Sequence, residues 1–249
     1  MTSRWPICFR WGRATPCRWL SASVVLAFPL LASTITGRVE LRDSREASVR
    51  QRLDYSGVVI SLAPAIPTHL ADAHATMRQN NKTFTPHILA IAAGTYVDFP
   101  NDDPIFHNAF SSYNGQLFDL ALYAPGTTKS VRFSRAGIVR VFCNIHSAMS
   151  AVIVVLPTPY FATTARDGSF QIPNVPPGDY ELTIFHERAT EAVLNALSRH
   201  ITVDQSPLAF PRFVISEAGF LQMPHNNKYG RVYPAETNDN SIYPAAKKE

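Results

Sequence analysis

Cysteine is scarce in this chain, with three in 249 residues, and two of them, Cys8 and Cys17, fall in its opening stretch. That count excludes the closely spaced, even-numbered cysteine set of a disulfide framework. No fixed-period repeat is visible, which argues against a solenoid or propeller. Glycine is limited to 11 residues, while 19 prolines and 11% aromatic residues disfavour a helical bundle. Charged residues make up only 17% against 46% hydrophobic, so the chain can bury a core and is not intrinsically disordered. No Asp or Glu occurs before Glu40. The formal charge of +4 comes from that opening stretch, where Arg4, Arg10, Arg13 and Arg18 stand alone; beyond residue 33 there are 19 basic and 19 acidic side chains. A nucleic-acid partner therefore has no support.

The opening stretch has an export layout. A basic segment is followed by the apolar run Leu20-Ser-Ala-Ser-Val-Val-Leu-Ala-Phe-Pro-Leu-Leu31 and then by the small residues Ala32, Ser33 and Thr34. The run falls short of the ~20 apolar residues of a membrane-spanning helix. Residues 1–33 read as a signal peptide that sends the chain to the periplasm or otherwise out of the cytoplasm. The alternative is an uncleaved anchor, the one case in which membrane contact is expected. Cleavage would leave Cys143 as the only thiol, in an oxidising compartment where a lone thiol is a liability unless buried or bound to a metal.

Beyond that point the pattern is that of short strands. Residues 34–65 carry two strand-like runs, Ile35-Thr-Gly-Arg-Val-Glu-Leu and Tyr55-Ser-Gly-Val-Val-Ile-Ser-Leu, about a charged stretch that reads as a loop. Thr68 to Arg78 reads as a linker or a short turn of helix. Six further runs follow, Thr83–Ile91, Thr95–Phe99, Phe106–Phe110, Thr128–Phe133, Ile138–Phe142 and Ala151–Leu156, with Gly94, Gly126 and Gly137 between them. Val131 and Phe133, and then Ile138 and Phe142 about Arg140, set the expected core face. After Pro157 come two strands joined by a Pro-Gly turn, an amphipathic helical stretch in Glu187–Arg199, and strands at Ser198–Val203 and Arg212–Ser216. The tail 219–249 is rich in Asn, Lys, Tyr and Pro, with disorder expected from Thr237. The fold class is all-β.

The run Val141-Phe-Cys-Asn-Ile-His-Ser-Ala-Met149 carries the chemistry. Cys143, His146 and Met149 stand three apart on a loop between strands, and thiolate, imidazole and thioether are donors suited to copper. A blue-copper set of two His and one Cys with a weak axial Met needs a second imidazole, and His107, in Asn101-Asp-Asp-Pro-Ile-Phe-His-Asn, is the candidate. The Asn108 backbone N–H is placed to hydrogen-bond the Cys143 sulfur. Phe106, Phe110, Ile145 and Ala148 are expected to form an apolar collar, with an exposed edge of His146 as the electron exit. Individually each residue also has a structural reading: a buried thiol, satisfied histidines and a core methionine. His69, His74, His87, His186, His200 and His225 lack comparable spacing and are read as surface or structural. Zinc is the weaker metal, because thioether suits it poorly.

On these residues the chain resembles the cupredoxin family, the plastocyanin and amicyanin group in particular, over about residues 76 to 156. The short gap between His146 and Met149 is similar to amicyanin's. The wider context also resembles exported bacterial proteins loosely labelled methylamine utilization proteins, which does not establish an amine substrate. Thr36-Gly-Arg-Val, Val58-Val-Ile-Ser-Leu and Asp167-Gly-Ser-Phe-Gln-Ile-Pro-Asn-Val-Pro-Pro-Gly-Asp-Tyr-Glu-Leu resemble parts of a carboxypeptidase regulatory-like, transthyretin-like β-sandwich. The resemblances imply a cupredoxin Greek-key β-sandwich over 66–157, flanked by a small regulatory-like β-sandwich made of 34–65 and 158–218. Either the first is inserted in the second, or an N-terminal extension and a separate C-terminal β-domain flank it.

The functional expectation is an exported one-electron carrier holding one type 1 copper per chain through His107, Cys143, His146 and Met149, with a redox partner protein. The alternative is a copper-holding or chaperone protein without redox turnover. A copper oxidase or nitrite reductase needs further copper sites built from His-x-His and His-Cys-His patterns, which do not occur, so an enzyme is not expected. A structural or carbohydrate-binding surface protein that has lost its copper is disfavoured because all four donors are present. With a neutral mature chain, docking to the partner is expected to be mainly apolar.

Overall fold

Ser150–Leu156 is apolar on both faces, and both faces are used. Ala151, Ile153 and Val155 point into one core, with Val97, Phe99, Phe133, Val139 and Val141. Val152, Val154 and Leu156 point the opposite way, onto Val59 with Phe161 and Phe185 packed against them. Alternate residues of a strand face opposite sides, so a continuous apolar run marks a strand covered twice. The strand thus lies at a seam between two packed sets of sheets.

The structure, a computed structural model, describes residues 32–67, 70–112, 115–221 and 224–233. The basic and apolar opening segment, with Cys8 and Cys17, lies outside the described residues, as do His69 and the tail from Thr237. Nearly all regular structure is strand, as an all-β chain requires. No helix among the described residues is long and apolar enough to cross a membrane.

One set of sheets is built from the two ends of the described chain. Ser33–Arg42 pairs antiparallel with Ser169–Val175 and parallel with Leu208–Ala209 and Phe213–Ser216. Val59–Pro64 pairs with Phe161–Thr163 and with Gly178–Phe185, which in turn pairs with Arg199–Val203. Between the two sheets lie Ile35, Val39, Ile60, Leu62, Phe170, Ile172, Leu182 and Ile215. Gly168 sits where the strands meet: its φ is +79°, and a Cβ there would lie 2.0 Å from the Val39 carbonyl oxygen, so only glycine fits.

The intervening residues form their own sheets. Ile88–Ala92, Ser150–Leu156, Gly137–Phe142, Phe110–Ser111 and Phe118–Asp119 lie side by side in that order, and Thr128–Arg132, Tyr96–Pro100 and His74–Thr76 form a second sheet. Arg78–Asn80 and Thr83–Thr85 make a small hairpin, turned by Asn81 and Lys82, both with positive φ as a two-residue hairpin turn requires.

Several local expectations are corrected. The charged stretch read as a loop contains the short helix Ala47–Arg52, whose Val49 is buried in the flanking core. Thr68–Arg78, read as linker or helix, contributes the strands His74–Thr76 and Arg78–Asn80. The run at Phe106 is strand only from Phe110. In Gly137–Phe142 the inward residues are Val139 and Val141, whereas Ile138 faces the seam. Ile138, Arg140 and Phe142 share one face of the strand, and the exposed Arg140 marks that face as the outer one, which leaves Val139 and Val141 inward.

Candidate metal centre

Cys143 continues the alternation of Val139 and Val141 by one position, so it enters the core just as its strand ends. The loop that follows closes on itself. The Cys143 N–H donates to the Met149 carbonyl at 3.1 Å and the Met149 N–H to the His146 carbonyl at 3.1 Å, and Ser150 then pairs with Phe142 in the return strand. The sequence spacing is therefore converted into a tight loop with Cys143, His146 and Met149 all buried.

His107 arrives from a separate turn. Asn101 organises that turn, donating from Nδ2 to the Ile105 carbonyl at 2.8 Å and accepting from the Asp103 N–H at 3.2 Å. His107 and Tyr123 then exchange backbone hydrogen bonds, which fixes the chain just before Phe110 joins Phe142 in the sheet.

The two approaches bring His107, Cys143 and His146 together, with one donor atom of each within 4.8 Å of the others. The Cys143 Sγ lies 3.9 Å from His107 Nδ1 and 3.7 Å from His146 Nδ1. Donors about 2.0–2.3 Å from a shared ion, set at trigonal angles, are separated by about 3.6 Å. The observed spacing thus fits an ion between them with little rearrangement. Met149, fully buried, belongs to the same core cluster as Cys143.

The electrostatics also suit a cation. Burial pushes the Cys143 thiol up, but hydrogen bonds from His107 and His146 and from the backbone N–H groups of Asn108 and Ile145 outweigh it and bring the thiol down to about 5. The sulfur is therefore held as a thiolate, the form that binds metals. Burial pulls His107 down, and its bonds to Cys143 and Asp103 raise it overall. The Asn108 side chain acts as well: its Oδ1 accepts the Asn144 N–H at 2.6 Å, tying the His107 turn to the ligand loop.

Behind His107 stands a residue that sequence reasoning missed. Asp103 accepts from His107 Nε2 at 2.7 Å and from the backbone N–H groups of Asn81 and Lys82 at 2.6 and 2.8 Å. The hairpin turn, the carboxylate and the imidazole form one chain of hydrogen bonds that leaves Nδ1 facing the sulfur. The pairing falls at i, i+4 in a turn rather than a helix, and periodicity offers no signal for it. Burial pushes the Asp103 carboxyl up, but the three donors hold it below the usual carboxylate range.

Two expectations about the outer face are corrected. His146 has only 6% exposure, so it presents no open imidazole edge. Phe110 is buried in the sheet against Phe142, ring centroids 6.0 Å apart, and does not line the surface; Phe106 is 40% exposed and Ala148 is exposed. His225, read as a surface or structural residue, lies on the ligand loop, its Nε2 3.0 Å from the Ser147 carbonyl oxygen. His87 spans the seam, with Nδ1 3.0 Å from the Ser150 carbonyl oxygen and Nε2 2.8 Å from Glu187 Oε1.

Residues 158–206 match the family model described as polysaccharide lyase family 4, domain II. No curated protein matches the chain. Among solved structures, the chain is similar to a Cu-containing nitrite reductase from Thermus scotoductus SA-01, with 23% identity over 37% of this chain and a TM-score of 0.32; the match spans 25% of the reductase. It is similar to a purple cupredoxin from Nitrosopumilus maritimus, with 27% identity, 34% of this chain, 100% of that one and a TM-score of 0.30. A reduced amicyanin carrying a single substitution matches with 17% identity, 39% of this chain, 98% of that one and a TM-score of 0.32.

Proposed function

We propose that this protein is a mononuclear copper protein that carries single electrons. His107, Cys143, His146 and Met149 would hold the ion. The observation that carries this reading is the convergence of one thiolate and two imidazole nitrogens within 4.8 Å in a buried pocket. Thiolate and imidazole together suit copper, and the thioether of Met149 favours it over zinc. Bound copper would supply a one-electron couple.

The protein's own residues contribute orientation, charge and exclusion of water. Strand-anchored ligands on both sides limit movement of the donors between oxidation states. Asp103 fixes the His107 ring, and the Asn108 and Ile145 N–H groups stabilise the thiolate. Full burial of Cys143, His107 and Met149 keeps water out. We further propose export directed by residues 1–33, a periplasmic or otherwise exported location, a redox partner protein, and no enzymatic turnover.

A copper-holding role is the second reading, favoured by the burial of all four donor residues. Reversible voltammetry separates the two, because a carrier must exchange electrons quickly. The founding test is one equivalent of Cu(II) added to the chain. An intense thiolate-to-copper band with narrow copper hyperfine splitting, lost in Cys143→Ser, is expected, and a colourless complex would overturn the blue-copper carrier reading.

A further inference from the structure

The ligand loop carries a second layer from far along the chain. Residues 225–233 fold into a small clip. Asn227 organises it, donating from its N–H to the Arg231 carbonyl at 2.9 Å and accepting the Gly230 N–H at its own carbonyl at 2.9 Å. Its side-chain Oδ1 takes the Tyr229 and Arg231 N–H groups. The turn brings His225 and Tyr233, at the two ends of the clip, to a ring-centroid distance of 5.2 Å.

Both ends grip the metal-binding loop. The Tyr233 hydroxyl donates to the Cys143 carbonyl at 2.9 Å, and the His225 ring lies 4.0 Å from that of Phe142. His225 Nε2 is 3.0 Å from the Ser147 carbonyl oxygen. From the middle of the clip, the Lys228 N–H donates to Asn144 Oδ1 at 3.0 Å, and its Nζ pairs with Asp119 at 2.8 Å. These contacts reach residues 142, 143, 144 and 147, on both sides of His146, the candidate ligand that was expected to be open and is not.

We propose that residues 225–233 are an intramolecular cover of the metal centre, with Tyr233 and His225 as positioning residues that hold the ligand loop closed and restrict access to Cys143 and His146. The inference rests on the metal-centre reading and adds to it the element that controls entry. A cover attached by a few hydrogen bonds, one ring contact and one partly exposed ion pair opens locally, without unfolding of the sheets beneath. Metal exchange and approach of a redox partner at this pole then pass through opening of the clip.

The test needs no copper. The apo chain is treated with iodoacetamide, and alkylation of the peptide containing Cys143 is followed by mass spectrometry in the full chain, in a chain ending at Leu221, and in the double variant His225→Ala, Tyr233→Phe. At least a tenfold faster alkylation of Cys143 is expected in both variants, with unchanged far-ultraviolet circular dichroism. Equal rates in a folded variant would overturn the proposal. Should the shortened chain fail to fold, the double variant decides; failure of both to fold would also overturn it, by making the clip part of the core. A Cu(I) chelator added to copper-loaded protein then reads the same effect as faster metal loss. Absence of the copper band in the full chain sinks the metal reading separately and leaves the alkylation result intact.

Discussion

Asp103 Oδ2 lies 2.7 Å from Nε2 of His107, and both side chains are almost completely buried. A carboxylate behind a ligating imidazole fixes its ring and raises its basicity. Asp103→Asn keeps the shape but removes the charge, and turns an amide N–H toward donors that need an acceptor. A loss of about 10- to 100-fold in copper affinity is expected, together with a higher reduction potential. Competition titration and voltammetry check it, and an unchanged affinity would show that the hairpin turn alone positions His107.

Cys143→Ser replaces the thiolate by a hydroxyl of similar size at a fully buried position. The visible copper band should vanish while the sheets persist, since the site is lined by strand ends that do not depend on sulfur. Absorbance and circular dichroism on the same sample test this. A retained band would place the copper elsewhere.

Glu217 gives a pH signature remote from the metal. Burial pushes its carboxyl up, but hydrogen bonds from His186, Arg188 and Ser44 prevail and lower it to about 2. Because the folded value lies below the unfolded one, its stabilisation is fully present above about pH 4.5, declines as pH falls, and is lost below about 2. The depression corresponds to about 3 kcal/mol at neutral pH. Glu217→Gln should lower stability at pH 7 and flatten its dependence between pH 4.5 and 2, measured by urea unfolding across that range. An unaltered slope would mean that another carboxylate governs acid stability.

Val154→Ala probes the seam between the two sets of sheets. Val154 is 2% exposed and faces Val59 rather than the metal-centre core. Loss of about 1–3 kcal/mol in unfolding free energy is expected from the cavity, with the copper spectrum unchanged. A shifted spectrum would show that the seam transmits strain to the ligand loop.

Local spacing alone makes part of this architecture readable. Cys143, His146 and Met149 lie in one short loop after an alternating strand, so their proximity follows from the chain itself. The run Ala151–Leu156 was legible as a strand, because it is short, apolar and rich in β-branched residues, and the strand Ser150–Leu156 bears that out. The short helix Ala47–Arg52 was not, since one buried valine among charged residues gives no period.

The sequence by itself determined the donor types, the all-β texture and the loop that gathers three of the donors, because these depend on composition and near-neighbour spacing. Tertiary structure alone decided what lies far apart in sequence. It placed His107 Nδ1 3.9 Å from a sulfur 36 residues away, laid the Asn81 and Lys82 N–H groups on Asp103 across 22 and 21 residues, and brought Tyr233 onto the Cys143 carbonyl across 90 residues. It also decided what covers the outer face of Gly137–Phe142, where Ile138 packs at the seam beside the exposed Arg140. Contacts of that kind follow from how sheets pack, and no window along the chain contains both partners.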